Sequence, residues 1–237
     1  MKKDFTDIKG QEHCKRGLEV AAAGNHGVLL IGPPDSGKTM LTERLETITD
    51  LPVNTWSKKK REFKGMVSYI MESCPCGYFT DPYKECHCTP YQIQRHLEKL
   101  PPLLMNIIDI HLNVPRLNYK ELSMKRKGEK SKIIKARADK AKAIQKKRYS
   151  FGNNGGFWFY NSHIPPAQIE KYCILDKEGE ELLKMAILEL GISARAYDKI
   201  LKVARTIADL EAKDKIEAHH ISEAIAYRSM DRDFWMA

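Results

Sequence analysis

The sequence predicts an α/β fold: a short parallel β-sheet with flanking helices, followed by a helical C-terminal lid. Three observations carry this. "GVLLI" at 27–31 is a continuous apolar run placed directly before a glycine, the pattern of a strand buried on both faces of a parallel sheet. A glycine-rich turn and then "KTMLTERLETI" follow it, so strand, turn and helix come in the order of a βα unit. Residues 167–228 carry helical periodicity almost throughout, in "AQIEKYC", "KEGEELLKMAILELG", "ARAYDKILKVARTIADLEA" and "HHISEAIAYRS".

The elements can be justified in order. "QEHCKRGLEVAAA" (11–23) repeats Cys14, Leu18 and Ala21 or Ala22 on one face, and Gly24 is a stop signal. After the first strand and its helix, 51–65 is a polar, basic bridge without periodicity. "MVSYIM" (66–71) reads as a second buried strand, "YQIQRHLEKL" as a short helix, and "IIDIHLNV" (107–114) as a third strand closed by Pro115. A sheet of about three strands with an unpaired edge is the expectation, and such an edge invites self-association. Residues 151–166, "FGNNGGFWFYNSHIPP", form an aromatic loop or hairpin. The domain division expected is 1–119 for the core, 120–166 for a basic helix and the aromatic loop, and 167–237 for the lid.

A chain of 237 residues with 42% hydrophobic content is globular. "MKKDFTDIKG" turns polar before any apolar core forms, and no apolar run approaches the length of a membrane helix. A cytoplasmic protein without a membrane partner is expected. The net charge of +9 suits either an ordinary basic protein or one with an anionic partner. That excess sits in one stretch, because residues 120–148 hold ten lysines and three arginines against three acids. Ile133, Ile134, Ala138, Ala141 and Ile144 give this stretch a thin apolar stripe, so a helix is expected beyond Gly128. It suits non-specific, salt-sensitive contact with DNA or RNA phosphates, or is simply a solvated charged helix.

The turn between strand and helix is "GPPDSGKT", which fits the phosphate-binding spacing G-x-x-x-x-G-K-[ST] with Gly32, Gly37, Lys38 and Thr39. Such a loop aims backbone N–H groups at phosphate oxygens, and its lysine adds a positive charge. Gly32, Pro33, Pro34, Asp35, Ser36, Gly37, Lys38 and Thr39 are therefore the candidate nucleotide site, with ATP and Mg²⁺ as cofactors. Asp35 is an oddity, since a carboxylate repels a triphosphate; its side chain is expected to point outward.

Cys74, Cys76, Cys86 and Cys88 form C-x-C-x₉-C-x-C across "GYFTDPYK", whose Gly, Asp and Pro suit a reversing loop. Four thiolates can enclose a structural Zn²⁺; free thiols are the alternative. Cys14 and Cys173 lie on apolar helix faces and belong to the core.

"DFTDIKGQEHCKRGLEVAAAGNHGVLLIGPPDSGKTMLTERL" (4–45), "CPCGYFTDPYKECHCTPYQIQRHL" (74–97), "IDIHLNVPR" (108–116) and the stretch from "KYCILDKEGEELL" to "AIAYRSMDR" (171–232) together resemble the magnesium-chelatase-like AAA+ family of the ComM or YifB type. The resemblance covers well over half the chain. It implies an ATP-binding AAA+ core with a helical lid, assembly into rings, and roles in DNA handling or in metal insertion into porphyrin. It places Gln11 at the adenine end of the nucleotide and Arg195 of "SARA" as a phosphate contact from the lid. It also implies losses: the protease-like domain that opens such proteins, and the strand with the Walker B acid pair. Only 35 residues separate Lys38 from Cys74, and none of them forms an apolar run ending in Asp-Glu. Asp109 ends the apolar run "MNIID" but has no following glutamate; it is a substitute metal ligand or an ordinary strand-end acid. Met71-Glu72-Ser73 stands where the family has Met-Asn-Pro, so Glu72 replaces the sensor asparagine, and the arginine finger has no counterpart near Asn106. Nucleotide binding with slow or absent hydrolysis is the expectation. The alternative is a non-enzymatic DNA-contact or assembly remnant with a fossil phosphate loop.

Overall fold

The structure is a computed structural model of the chain, and it describes residues 3–55, 65–123, 128–150 and 160–228. In chain order the described elements are α1 (Glu12–Gly24), β1 (Gly27–Ile31), α2 (Lys38–Leu45), β2 (Val53–Thr55), β3 (Met66–Met71), α3 (Pro90–Leu97), α4 (Pro102–Ile107), β4 (Ile108–Asn113), α5 (Tyr119–Ser123), α6 (Ser131–Ser150), α7 (Ile169–Tyr172), α8 (Lys177–Leu190), α9 (Ala194–Leu210) and α10 (Ala218–Ala226). The sheet has the order β2-β3-β1-β4 and every pairing is parallel. This is the expected α/β class with a helical C-terminal part.

Among the described residues the sheet holds four strands, not about three. Val53–Thr55 pairs with Met66–Ser68 and covers the edge of β3 that the sequence left open. Three residues are too few to show a period, so the bridge concealed a strand. Residues 56–64 of that bridge lie outside the described residues, as do 124–127 of the basic stretch and 151–159 of the aromatic loop.

β1 is buried at all five positions, as its unbroken apolar run requires. Val28 and Leu30 face a core shared with α1, α6 and α9, whereas Leu29 and Ile31 face a second core with Val67, Leu97, Leu100 and Leu104. The two-residue period of a strand thus divides β1 between two layers. A register shift near Gly27, where Gly27 pairs Ile108 and Val28 pairs Ile110, puts Ile108 in the second core and Ile110 and Leu112 in the first. α1 closes at Asn25 in the left-handed region (φ 56°) and not at Gly24.

α6 forms as predicted, but its buried face is Ser131, Ile134, Ala138, Ala141, Gln145 and Tyr149. Ile133, placed in the stripe by the sequence reading, is exposed. Several of its cations are ion-paired: Arg137 with Glu19 and Glu129, Lys135 with Asp50 and Asp139, Arg148 with Asp209.

The C-terminal helices are fastened to the base of the sheet by buried polar groups. His26 bonds Asp109 through Nδ1 (2.9 Å) and Thr206 through Nε2 (2.7 Å). Asn161 donates to Thr206 (3.0 Å) and Asp209 (2.9 Å). Lys199 lies 3.3 Å from Asp109 and donates to the carbonyls of Met105 (2.9 Å), Asn106 (3.1 Å) and Ile108. The outer edge of β4 is met by the end of α10, where the His111 N–H donates to the Tyr227 carbonyl at 2.8 Å.

Candidate nucleotide site

The loop 32–37 leaves the C-terminal end of β1 and delivers Lys38 into the first turn of α2. Gly37 makes the turn possible: its φ of 98° is open to glycine and strained for any side chain. A parallel strand feeding a helix N-terminus through such a loop makes an anion site, because the unpaired N–H groups and the helix dipole face the same point. Lys38 is buried, and its ammonium donates to the carbonyls of Gly32 (2.9 Å) and Pro33 (2.6 Å). Burial lowers its pKa, against the opposing pull of Glu72 and Asp35. The cation is therefore held at the loop's centre by weak acceptors that a phosphate oxygen would replace.

Asp35 resolves simply. It is exposed, and its φ is 61°. Aspartate, with asparagine, is among the few non-glycine residues that adopt this region readily, so backbone conformation accounts for the residue type and the carboxylate faces solvent.

Two clefts flank the loop. One, of about 370 Å³, is lined by Ile8, Gln11, Ser36, Gly37, Met40 and Leu117 among others. It is the more apolar, suits a base and sugar, and contains Gln11. Gln11 sits in the left-handed region at the start of α1 and donates to the Pro115 carbonyl at 2.7 Å. The other, of about 550 Å³, is lined by Asp35, Lys38, Thr39, Tyr69, Glu72, His96 and Lys99 among others, and lies on the phosphate side. Arg195 is exposed at the start of α9 and lines neither cleft. Lys199, one turn later, is held at the base of β4.

Asp109 is excluded as a metal ligand for this loop. It belongs to the start of β4, while Asn113 pairs with Ile31 beside the loop; four residues at about 3.3 Å each separate them by roughly 13 Å. Its carboxylate is committed to His26 and Lys199. Burial raises its pKa, but the His26 hydrogen bond, then the nearby Lys199 and Lys202, outweigh that and hold it low.

The four cysteines converge. The Sγ atoms of Cys74, Cys76, Cys86 and Cys88 all lie within 4.8 Å of one another, with Cys74–Cys76 at 3.3 Å, Cys76–Cys86 at 3.6 Å and Cys74–Cys86 at 3.7 Å. A tetrahedral ion with four Zn–S bonds of about 2.3 Å needs sulfur separations of about 3.8 Å, so the thiols stand close to the geometry a zinc would impose. Burial, with the neighbouring thiols, pushes Cys86 up to about 12. A backbone hydrogen bond from Cys76 lowers Cys88, but burial and those thiols outweigh it and raise the group. By contrast, the Phe79 N–H donates to Cys74 at 3.3 Å, and the Tyr78 N–H, helped by the other thiols, lowers Cys76 to about 6. Such bonds stabilise the thiolate, which is the ligand form. Cys14 and Cys173 are buried in the core, as expected.

The cysteine loop packs on the phosphate loop, which sequence reasoning missed. Gly77 has φ 84°, and a Cβ there would stand 2.9 Å from Pro34. Arg116 donates to the Pro34 carbonyl (3.0 Å) and pairs with Asp81 of the cysteine loop (3.5 Å). Arg116 follows β4 directly after Pro115; an arginine just beyond a strand that ends level with the loop was the available signal.

Fold and site together define a phosphate-loop α/β protein with a helical C-terminal part. The sequence profile described as "Magnesium chelatase, subunit ChlI" matches residues 4–60 and 56–122, and that described as "Magnesium chelatase, subunit ChlI C-terminal" matches residues 128–228. The chain belongs to this family, as a member of its ComM/YifB type. It is 29% identical to the uncharacterized protein YifB of Salmonella typhimurium, over 97% of this chain and 61% of that protein. It is 28% identical to the competence protein ComM of Haemophilus influenzae, over 97% and 60%. The chain thus spans about three-fifths of the length of these relatives. The YifB alignment runs over 320 residues, more than the 237 of the chain, so the relative carries stretches with no counterpart here. The two matched segments of the first profile overlap at 56–60, between β2 and β3, within the stretch from Lys38 to Cys74 where the sequence reading found the Walker B strand missing. No described helix is long and apolar enough to cross a membrane.

Proposed function

We propose that the chain is a Mg²⁺-dependent ATP-binding module that holds nucleotide and hydrolyses it slowly, acting in DNA handling with partners or further copies of itself. The observation that carries this is the conformation of 32–39: a glycine turn at the end of a buried strand, with Lys38 turned inward between a base-sized cleft and a polar one. When bound, Mg²⁺ would neutralise phosphate charge, with the Thr39 hydroxyl as its protein contact. Slow turnover follows from what the family uses and this chain has lost: the Walker B pair, the sensor asparagine and the arginine finger, the last worth about 10³–10⁵ in rate where measured in GTPases. The DNA role rests on the name of the Haemophilus relative and on the basic α6. Calorimetry with Mg·ATP tests the reading. Binding that Lys38→Ala weakens by tenfold or more, about 1.4 kcal/mol, supports it, and full binding by that variant refutes it.

The cysteine cluster is proposed as a structural zinc site, closed because four thiolates leave no open position.

A second reading, a DNA-contact piece with a fossil loop, is favoured by one observation. Lys132, Lys140, Lys146 and Lys147 of α6 remain exposed after its ion pairs are made. Under that reading Mg·ATP gives no heat, while duplex DNA binds at low salt and is released as salt rises.

A further inference from the structure

We infer that Glu72 replaces the lost acid pair as the carboxylate that anchors the hydration shell of the nucleotide's Mg²⁺; this rests on the nucleotide-binding reading above. Four observations place it. β3 lies directly beside β1, with Met71 opposite Ile31 and the Gly32 N–H donating to the Met71 carbonyl at 3.3 Å. Glu72 is therefore the first residue past the strand and stands level with the phosphate loop. It lines the same cleft as Lys38 and Thr39. Its backbone is clamped, because His96 Nε2 donates to the Glu72 carbonyl at 3.0 Å. Its side chain lies over Gly77, where a Cβ would be 3.6 Å from the Glu72 carboxyl carbon, and Gly77 in turn rests on Pro34 of the loop.

The chemistry fits one ion class. Mg²⁺ keeps several waters and is held through one or two carboxylates together with phosphate oxygens. A carboxylate across a cleft from a loop threonine supplies that, and does so without touching the phosphates. Among the described residues lining this cleft, Asp35 and Glu72 are the only acids; both are exposed, and of the two Glu72 stands at the neighbouring strand's end, across from the loop and not within it. Without the ion, Glu72 repels a polyphosphate, so the carboxylate makes binding depend on the metal. The role is positioning, and it leaves the predicted slow turnover unchanged.

The test is calorimetry with the nonhydrolysable analogue AMP-PNP, with and without Mg²⁺, on the full chain and on Glu72→Gln. The wild type is expected to gain about tenfold or more in affinity from Mg²⁺. Glu72→Gln is expected to bind at least as tightly as wild type without the ion and to gain less than about threefold from it. Glu72→Ala, checked by thermal melting, serves if the glutamine variant does not fold, with the same expectation. Retention of the full Mg²⁺ gain in either folded variant overturns the inference. So does a wild type that binds AMP-PNP equally well with and without Mg²⁺, a result that leaves the nucleotide reading standing. A wild type that binds no AMP-PNP under either condition overturns both.

Discussion

At the scale of single residues, the carboxylate inside the phosphate loop shows a backbone demand overriding an electrostatic preference. Asp35 occupies a left-handed position that β-branched and bulky side chains avoid. Asparagine tolerates the same conformation and carries no charge, so Asp35→Asn separates the two effects. Calorimetry should find polyphosphate affinity raised roughly two- to fivefold at low salt, with the gain shrinking toward physiological ionic strength because the residue is exposed. An unchanged affinity at low salt would mean that the charge is screened even there. The loop itself was legible in the sequence because its information is local: eight consecutive residues between a strand and a helix. Glu72 was placed near the nucleotide only by the family resemblance; His96, Lys99 and Arg116 were not legible as the loop's neighbours, since the packing of α3 and the pairing of β4 with β1 bring them to it.

At the scale of elements, the cysteine loop and the phosphate loop behave as one piece. Gly77 packs on Pro34, and Arg116 bridges Asp81 to the Pro34 carbonyl. Removing metal from 74–88 should therefore be felt at the nucleotide. Protein stripped with a chelator, or carrying Cys76→Ser, is expected to lose about 3–8 °C in melting temperature and several-fold in Mg·ATP affinity, both restored in the wild type by added Zn²⁺. Metal analysis of the untreated protein should give one zinc per chain. Finding none would remove the site, and an affinity indifferent to stripping would uncouple the two loops. The spacing of the cysteines announced this cluster; what it leans on was hidden, because Gly77 looked like one turn residue among several. β2 was missed for a related reason: three residues become a strand only when β3 supplies the partner.

At the scale of the whole molecule, buried polar groups join parts far apart in sequence. His26, Asp109 and Thr206 meet although 83 and 180 residues separate His26 from the other two. No periodicity announces such a meeting, so the sequence reading took Asp109 as a strand-end acid or substitute metal ligand and did not join it to His26 or Thr206. Histidines kept neutral within the fold give stability a pH signature. Burial, then Arg228 and Lys199, hold the His111 pKa well below its ordinary value, and Arg228 donates to its Nε2 at 3.1 Å. His220, buried as well, is lowered too, mainly by burial. In the unfolded chain these rings take up protons near pH 6.5, whereas the folded chain refuses them until lower pH. Stability is therefore full above about pH 7 and declines as pH falls below 6.5, by up to about 1.4 kcal/mol per pH unit for each refused proton. The depressed Asp109 enters only in more acidic solution, below the ordinary aspartate range. Denaturant melts at several pH values should show this slope, and His111→Gln, which keeps an acceptor for Arg228, should flatten it; an unchanged slope would shift the burden to His220.

The Tyr227 carbonyl that receives the His111 amide has a consequence beyond its single bond. It occupies a docking position that a foreign extended segment would otherwise seek along the rim of the barrel-less, open sheet. At the opposite margin stands β2, which among the described residues is three residues long and so presents a short template to a neighbouring strand. The end of α10, the last helix among the described residues, thus serves as a stopper at that point of the border.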